Sequence, residues 1–441
     1  MDTPSDARDF DLVLFGATGF VGRLTARELA RTCPPGLRVG VAGRDRARVE
    51  AVRDDLGPAA AGWSVFVTEA TDAEQVSALA RRTRVIATTV GPYARYGRAL
   101  VQACAAAGTH YCDLTGEVLF ARWSIETSHD RAARSGARIV HSCGFDSIPS
   151  DLGVLDCATT AAAAGHGTLS TTVLHVRRAR GGFSGGTIES MREQMSTMSR
   201  DAQARRIVSD PYGLSPDRAG EPASSPAPLL QRADGVSRTG VTNRVLGIAG
   251  WARRRLQRAV PVGHDPTTGR WSAPFVMAGY NTRVVRRSNA LTGWSYGRGL
   301  RYDEVVDTGR GVRGGVAAFA LTAGMSAMVT GMGLPPVRWV LDRVLPSPGE
   351  GPSEETMATG LFQLEIWADT STGARYRTRV GAARDPGYGG TAVMLAQSAL
   401  CLAVDEVTSP PGVLTPATAM GFLLIDRLRA QGFTFDTERV G

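Results

Sequence analysis

At 441 residues the chain is about three times a typical domain of roughly 150 residues, which sets two domains as the expectation. Its 43% apolar and 21% charged residues exclude a disordered chain. All 50 basic residues are arginine and the net charge is +8, which excludes every mechanism built on a lysine amine: the Walker-A phosphate lysine, a pyridoxal Schiff base and the Tyr-x-x-x-Lys dyad of short-chain dehydrogenases.

In chain order, an apolar run at residues 10–15 ends in Gly16-Ala17-Thr18-Gly19-Phe20-Val21-Gly22 and passes into a helical pattern over 23–31. Further strands are predicted at 37–42, 63–67, 84–89, 110–114 and 138–142, separated by helices at 45–56, 72–82, 96–107 and 117–134. Strands alternating with helices mean βαβ units and a parallel sheet, and uniformly apolar strands such as Leu12-Val13-Leu14-Phe15 are those buried on both faces. The expected fold class is α/β: a Rossmann-type doubly wound parallel sheet over residues 1–150, with 410–441 as its candidate completion.

The pattern changes after Pro149. Residues 168–180 read as a strand, 181–186 as a glycine-rich turn into a helix at 187–200, and 361–370 with 374–382 as an antiparallel hairpin turned by Ser371-Thr372-Gly373. A second α+β domain with a mostly antiparallel sheet is expected over 151–409. Residues 211–235, rich in Pro, Ser, Gly and Asp, are expected to form a mobile loop. Thr415 and Pro416 open a helix that Gly432 closes.

Residues 314–337 carry no charge, and their Gly, Ala, Thr, Ser and Met content favours a buried helix over a membrane span. Arg301, Arg310 and Arg313 before the segment, with Arg338 and Arg343 after it, set up the competing expectation of a peripheral seat on an anionic membrane. Residues 1–9 lack a secretory pattern and the six cysteines form no C-x-x-C pair. A cytoplasmic protein with free thiols follows, at most peripheral at the inner face of the plasma membrane. No nucleic-acid module accompanies the positive charge, which suits a phosphorylated ligand or an anionic lipid surface instead.

The glycine turn lies between a predicted strand and a predicted helix, the context a dinucleotide site requires. Gly16 allows the tight turn, Gly19 the approach of a pyrophosphate, and Gly22 close helix–sheet packing, with Thr18, Phe20 and Val21 completing the contacts. Strand two ends in Ala42-Gly43-Arg44, where an NAD site would place an acid; Arg44 therefore points to NADPH. Arg46 and Arg48 read as solvated charges, and Asp72 either neighbours the adenine or caps a helix. Gly91, Pro92 and Tyr93 follow strand four and should flank the nicotinamide, where a phenol either donates a proton or packs. Six scattered histidines give no metal-ligand pattern, and His141 and Cys143 read as packing.

Two further turns carry acids at strand ends: Tyr111-Cys112-Asp113-Leu114-Thr115-Gly116-Glu117, and Cys143-Gly144-Phe145-Asp146-Ser147-Ile148-Pro149-Ser150-Asp151-Leu152-Gly153. With the glycine turn, Ala42-Gly43-Arg44, Thr89-Val90-Gly91-Pro92-Tyr93, Asp385-Pro386-Gly387-Tyr388 and Gly412-Val413-Leu414-Thr415-Pro416, the chain resembles the saccharopine dehydrogenase-like family. More narrowly, it resembles the trans-acting enoyl reductases of actinobacterial lipid and polyketide assembly. The resemblance implies an NADPH-binding Rossmann domain with an α+β substrate domain. It also implies hydride reduction of the C=C of an unsaturated acyl thioester held on a carrier or partner synthase. Tyr93, Asp113 and Asp146 are then the catalytic candidates, while Glu117 and Ser147 read as helix caps. Residues 314–337 and 362–367 would line an acyl chain or simply build core. Two alternatives stand beside this: a saccharopine-type amino-acid oxidoreductase, which two arginines clamping a substrate carboxylate would favour, and a non-catalytic lipid-surface protein, which a blocked cofactor turn would favour.

Overall fold

The computed structural model describes residues 8–181, 185–221, 262–265, 268–331 and 351–441. Its first sheet is built from β1 (Phe10–Phe15), β2 (Val39–Gly43), β3 (Ser64–Val67), β4 (Thr83–Thr88), β5 (His110–Cys112), β6 (Arg138–Val140) and, from far along the chain, β13 (Gly412–Leu414). The order is β13-β6-β5-β4-β1-β2-β3 and every pairing is parallel. Leu12, Val13 and Leu14 are wholly buried because helices cover both faces. Leu12 and Leu14 pack with Leu29 and with Val393 and Leu395 of the Thr391–Val404 helix. Val13 faces the other way, toward Val76, Leu79, Leu100 and Val101.

The second sheet comprises β7 (Leu169–Arg180), β8 (Gly263–Asp265), β9 (Arg270–Pro274), β10 (Arg301–Arg310), β11 (Leu361–Thr370), β12 (Arg375–Ala382) and β14 (Thr434–Arg439), in the order β14-β12-β11-β7-β10-β9-β8. Only β7 and β10 run parallel; the other pairings are antiparallel. The hairpin read from the sequence is β11 and β12. The helix Ile148–Ala163, which the sequence pattern left unassigned, packs beneath β11, β12 and β14 and carries the chain from one sheet to the other. One continuous apolar cluster runs from Leu12 through Leu152 to Phe362, so the sheets share a core.

The carboxyl-terminal stretch serves both sheets, β13 completing the first and β14 closing an edge of the second. Helix Thr391–Val404 covers the first sheet although it lies within residues 151–409. Pro386–Val404 is the helical stretch long and apolar enough to span a membrane among the described residues, and 83% of it is buried inside the protein. Residues 415–431 form two helices, Pro416–Ala419 under a Thr415 capping box and Gly421–Ala430, with Gly432 beyond at φ +85°. Gly97 divides the helix read over 96–107 into Tyr93–Tyr96 and Arg98–Ala107, and a side chain there would meet Phe120, 2.8 Å from its Cβ position.

The uncharged segment forms helix Gly311–Gly331, and residues 332–337 lie outside those described, as do Arg338 and Arg343. It is a one-sided surface helix rather than the buried one its composition favoured. Ala318 and Thr322 face β9, while Val312 and Val316 are 84% and 64% exposed. Of the loop expected at 211–235, residues 222–235 lie outside the described residues. The part from 211 to 221 is packed, with Tyr212, Leu214 and Ser215 buried. Arg286 and Arg287 hold it by donating to the carbonyls of Pro211 and Leu214.

Candidate active site

The carboxyl ends of the first sheet's strands face those of β7 and β10 across a cavity of about 1420 Å³. That exceeds the roughly 300–1,000 Å³ of an ordinary small-molecule site, so two ligands fit side by side. Along one wall run Gly16, Thr18, Gly19, Phe20, Val21, Gly22, Gly43, Arg44 and Gly91. Along the other run Val176, Pro274, Phe275, Val276, Met277 and Val306, with Leu321 and Met325 at an edge.

The three glycines of the turn differ in what a side chain would meet. At Gly16, φ is +90° and a Cβ would lie 2.6 Å from Val90, so the tight turn itself requires glycine. At Gly22 a Cβ would lie 2.1 Å from the Gly16 carbonyl oxygen, so the helix could not approach the strand. At Gly19 the nearest protein atom is 3.5 Å away and the backbone is extended (φ −70°, ψ 165°); the fold would accept a side chain there. The space in front of Gly19 is open cavity. Gly19 is also the N-cap of helix Phe20–Thr32, and no side chain caps that helix. Uncapped N–H groups and the positive helix end thus face open cavity, an arrangement suited to a pyrophosphate. Arg44 is exposed on the cavity wall, while the neighbouring Asp45 carboxylate is turned back to accept from Arg48 N, 3.1 Å away. Arg44, rather than an acid, therefore stands at the end of β2, with Glu69 beyond β3 in the same lining. Arg46 pairs with Glu50, and Asp72 caps helix Ala73–Arg82 by accepting from Glu74 N and Gln75 N. These residues fit NADPH.

The catalytic candidates separate. Tyr93 lines the cavity, but its phenol donates to the Thr88 carbonyl and accepts from Leu114 N, both at 3.2 Å, which ties the ends of β4 and β5 together. Burial and the Asp113 charge push the phenol well above its ordinary range. Asp113 is wholly buried away from the cavity lining; its carboxylate accepts from Tyr111 OH, Thr115 N and Ser142 N and meets His141 Nδ1 at 2.8 Å. His141 in turn meets Ser124 Oγ at 2.8 Å, so this strand-end histidine belongs to a satisfied interior network. Pro92 does not reach the lining.

Asp146 differs from both. It lines the cavity, is half-buried, and has no hydrogen-bond or ion-pair partner among the described residues. Burial alone pushes its carboxyl up to about 6. A partnerless carboxyl that keeps its proton up to about pH 6 is equipped to donate it.

Glu117 acts as a cap, though not of its own helix. Its oxygens accept from Tyr93 N at 2.7 Å and Ala94 N at 2.8 Å, capping Tyr93–Tyr96, and Ser190 OH donates to it from helix Gly185–Arg200. Ser147 occupies the N-cap of Ile148–Ala163, but its hydroxyl donates to Asn281. Ser142 was not anticipated: it lines the cavity at φ +68°, held by bonds to Asp113, Thr115 and Tyr280. Pro386, Gly387 and Tyr388 also reach the wall, where Tyr388 meets Phe20 edge-on at 5.1 Å. The Asp-Pro-Gly-Tyr motif was the available signal for them.

Residues 12–140 match the family model for the saccharopine dehydrogenase NADP-binding domain. Over 98% of each chain the protein is 46% identical to a Mycobacterium tuberculosis protein provisionally named trans-acting enoyl reductase. It is 43% identical to the trans-acting enoyl reductase of Mycobacterium bovis, across 98% of this chain and 99% of that one. The chain belongs to the trans-acting enoyl reductase family. The fold of this reductase is that of saccharopine dehydrogenase from Saccharomyces cerevisiae, with a TM-score of 0.51 at 12% identity over 98% of this chain and 99% of that one. It is an NADP-dependent oxidoreductase.

Proposed function

We propose that the reductase saturates the C=C of an α,β-unsaturated acyl thioester presented by a separate synthase, and that Asp146 protonates Cα. The observation that carries this reading is one cavity in which an open dinucleotide cradle, an apolar wall and Asp146, a partnerless acid raised by burial, meet. NADPH, when bound, would supply the hydride for Cβ. Phe20, Val21 and the helix end behind them hold the diphosphate, and Arg44 holds the 2′-phosphate. Phe275, Val276 and Met277 receive the acyl chain and keep water from the reacting carbons. Charge gathers on the thioester oxygen as the hydride arrives. The Asp146 proton then goes to Cα, and the carboxylate left behind recovers a proton through the open side of the cavity.

Reduction of enoyl thioesters in deuterated water tests this. One deuterium at Cα, with Cβ labelled only from deuterated NADPH, is the expected result. NADPH oxidation with imino acids but not with enoyl thioesters would overturn it in favour of amino-acid chemistry. An open rather than blocked cofactor turn speaks against the non-catalytic alternative.

We also propose that the outward face of helix Gly311–Gly331 rests peripherally on an anionic leaflet. Exposed Val312, Val316 and Leu321 between Arg310, Arg313 and the cavity edge support this seat. Flotation with anionic liposomes at low salt, lost on Val316→Asp, is expected; absence of wild-type binding overturns it.

A further inference from the structure

From Thr172 to Val176 β7 pairs regularly with β11, with Leu174 and Val176 buried opposite Ile366 and Leu364. There the ladder slips. Gln363 pairs with Arg178, which leaves Arg177 as an extra residue without a cross-strand partner. A one-residue bulge inverts the alternation of everything beyond it. Arg177 lies on the face of Asp307 and Glu365, with which it forms ion pairs. Arg178 and Arg180, opposite Gln363 and Leu361, take that same face. Three guanidiniums therefore fall on one side within four residues, where a regular strand would divide them between two.

Their electrostatics differ. Arg177 is neutralised by its two acids, one of them shared with Arg270. Arg178 and Arg180 are exposed, line the cavity, and have no carboxylate partner among the described residues. The cofactor's anions are already provided for by the uncapped helix behind Gly19 and by Arg44, on the opposite wall. The second-sheet pair thus stands apart from those groups, on the side of the apolar wall.

A thioester handed over by a synthase travels on a pantetheine arm whose one anionic group is a phosphate, and guanidinium forks suit phosphate oxygens. We propose that Arg178 and Arg180 bind the phosphate of the pantetheine arm that carries the acyl group, an assignment that rests on the enoyl reductase reading above. The exposure of both arginines at the rim fits a ligand whose far end remains attached to a macromolecule outside.

The experiment compares crotonyl-4′-phosphopantetheine with crotonyl-pantetheine, identical except for the phosphate, on the full-length enzyme. The wild type should show a KM about tenfold lower for the phosphorylated substrate, a preference that fades as salt screens it. To the Arg178→Ala/Arg180→Ala variant the two should be indistinguishable. Equal KM values in the wild type overturn the proposal. So does a variant that keeps the discrimination but binds NADPH more than tenfold worse, which would give the arginines to the cofactor. Displacement of 4′-phosphopantetheine by an amino-acid dicarboxylate would likewise overturn it, marking a carboxylate clamp. Calorimetric titration of 4′-phosphopantetheine into the enzyme with NADP⁺ reads the subsite without turnover. Arginine-dependent binding with neither thioester reduced would uphold the subsite and refute the reductase reading; reduction without such binding would refute the subsite alone.

Discussion

Replacing Asp146 by asparagine should make the protein more stable and nearly inactive, because one cause, burial without a partner, underlies both its cost and its use. The carboxyl rises from an ordinary 3.8 to about 6 in the fold. At roughly 1.4 kcal/mol for each pKa step, the ionised form costs the folded state at most about 3 kcal/mol. Because the folded value is the higher one, the stability linked to the proton is fully present below pH 3.8 and is lost as pH rises through about 6. Asparagine never ionises, so its advantage should be absent near pH 3.8, grow across that window and level off above it. Urea unfolding at pH 4 and pH 8 measures the difference. On the same reasoning wild-type kcat with a saturating enoyl thioester falls above pH 6, and Asp146→Asn lowers kcat by roughly 10²–10⁴ and flattens the profile. The reasoning is refuted if Asp146→Asn keeps kcat within threefold, or if its stability gain is equal at both pH values.

Gly19→Ala should leave stability within about 1 kcal/mol, since its Cβ meets nothing closer than 3.5 Å, yet weaken NADPH roughly 10–100-fold by fluorescence titration. Gly22→Ala should do the reverse of the first part: a Cβ 2.1 Å from the Gly16 oxygen lowers the melting temperature before any cofactor is added. Arg44→Ala should cost NADPH about one to two decades in Kd and NADH almost nothing, and an equal loss for both would remove Arg44 from the 2′-phosphate. Glu117→Gln sets an amide NH₂ against the Tyr93 or Ala94 N–H and should destabilise by about 1–3 kcal/mol in urea melts.

The first sheet was legible because its signals are local: apolar runs, helix periods and glycines whose steric reasons lie within a few residues of one another. Gly16, Gly19, Gly22 and Arg44 could be named from the chain alone, since strand, turn and helix are contiguous in the sequence. What separates the acids is not local. Asp113 and Asp146 occupy similar turns at similar strand ends, yet one is consumed by Tyr111, His141, Thr115 and Ser142 and the other faces open space. Those partners arrive from neighbouring strands, and no spacing in the sequence announces them. The same holds for β13 and β14, which cross to different sheets from one short tail, and for the bulge at Arg177, which exists only in register with β11. Residue identity and period determined the cofactor half; pairing between distant segments alone decided which carboxyl keeps a proton and which arginines are left without an acid.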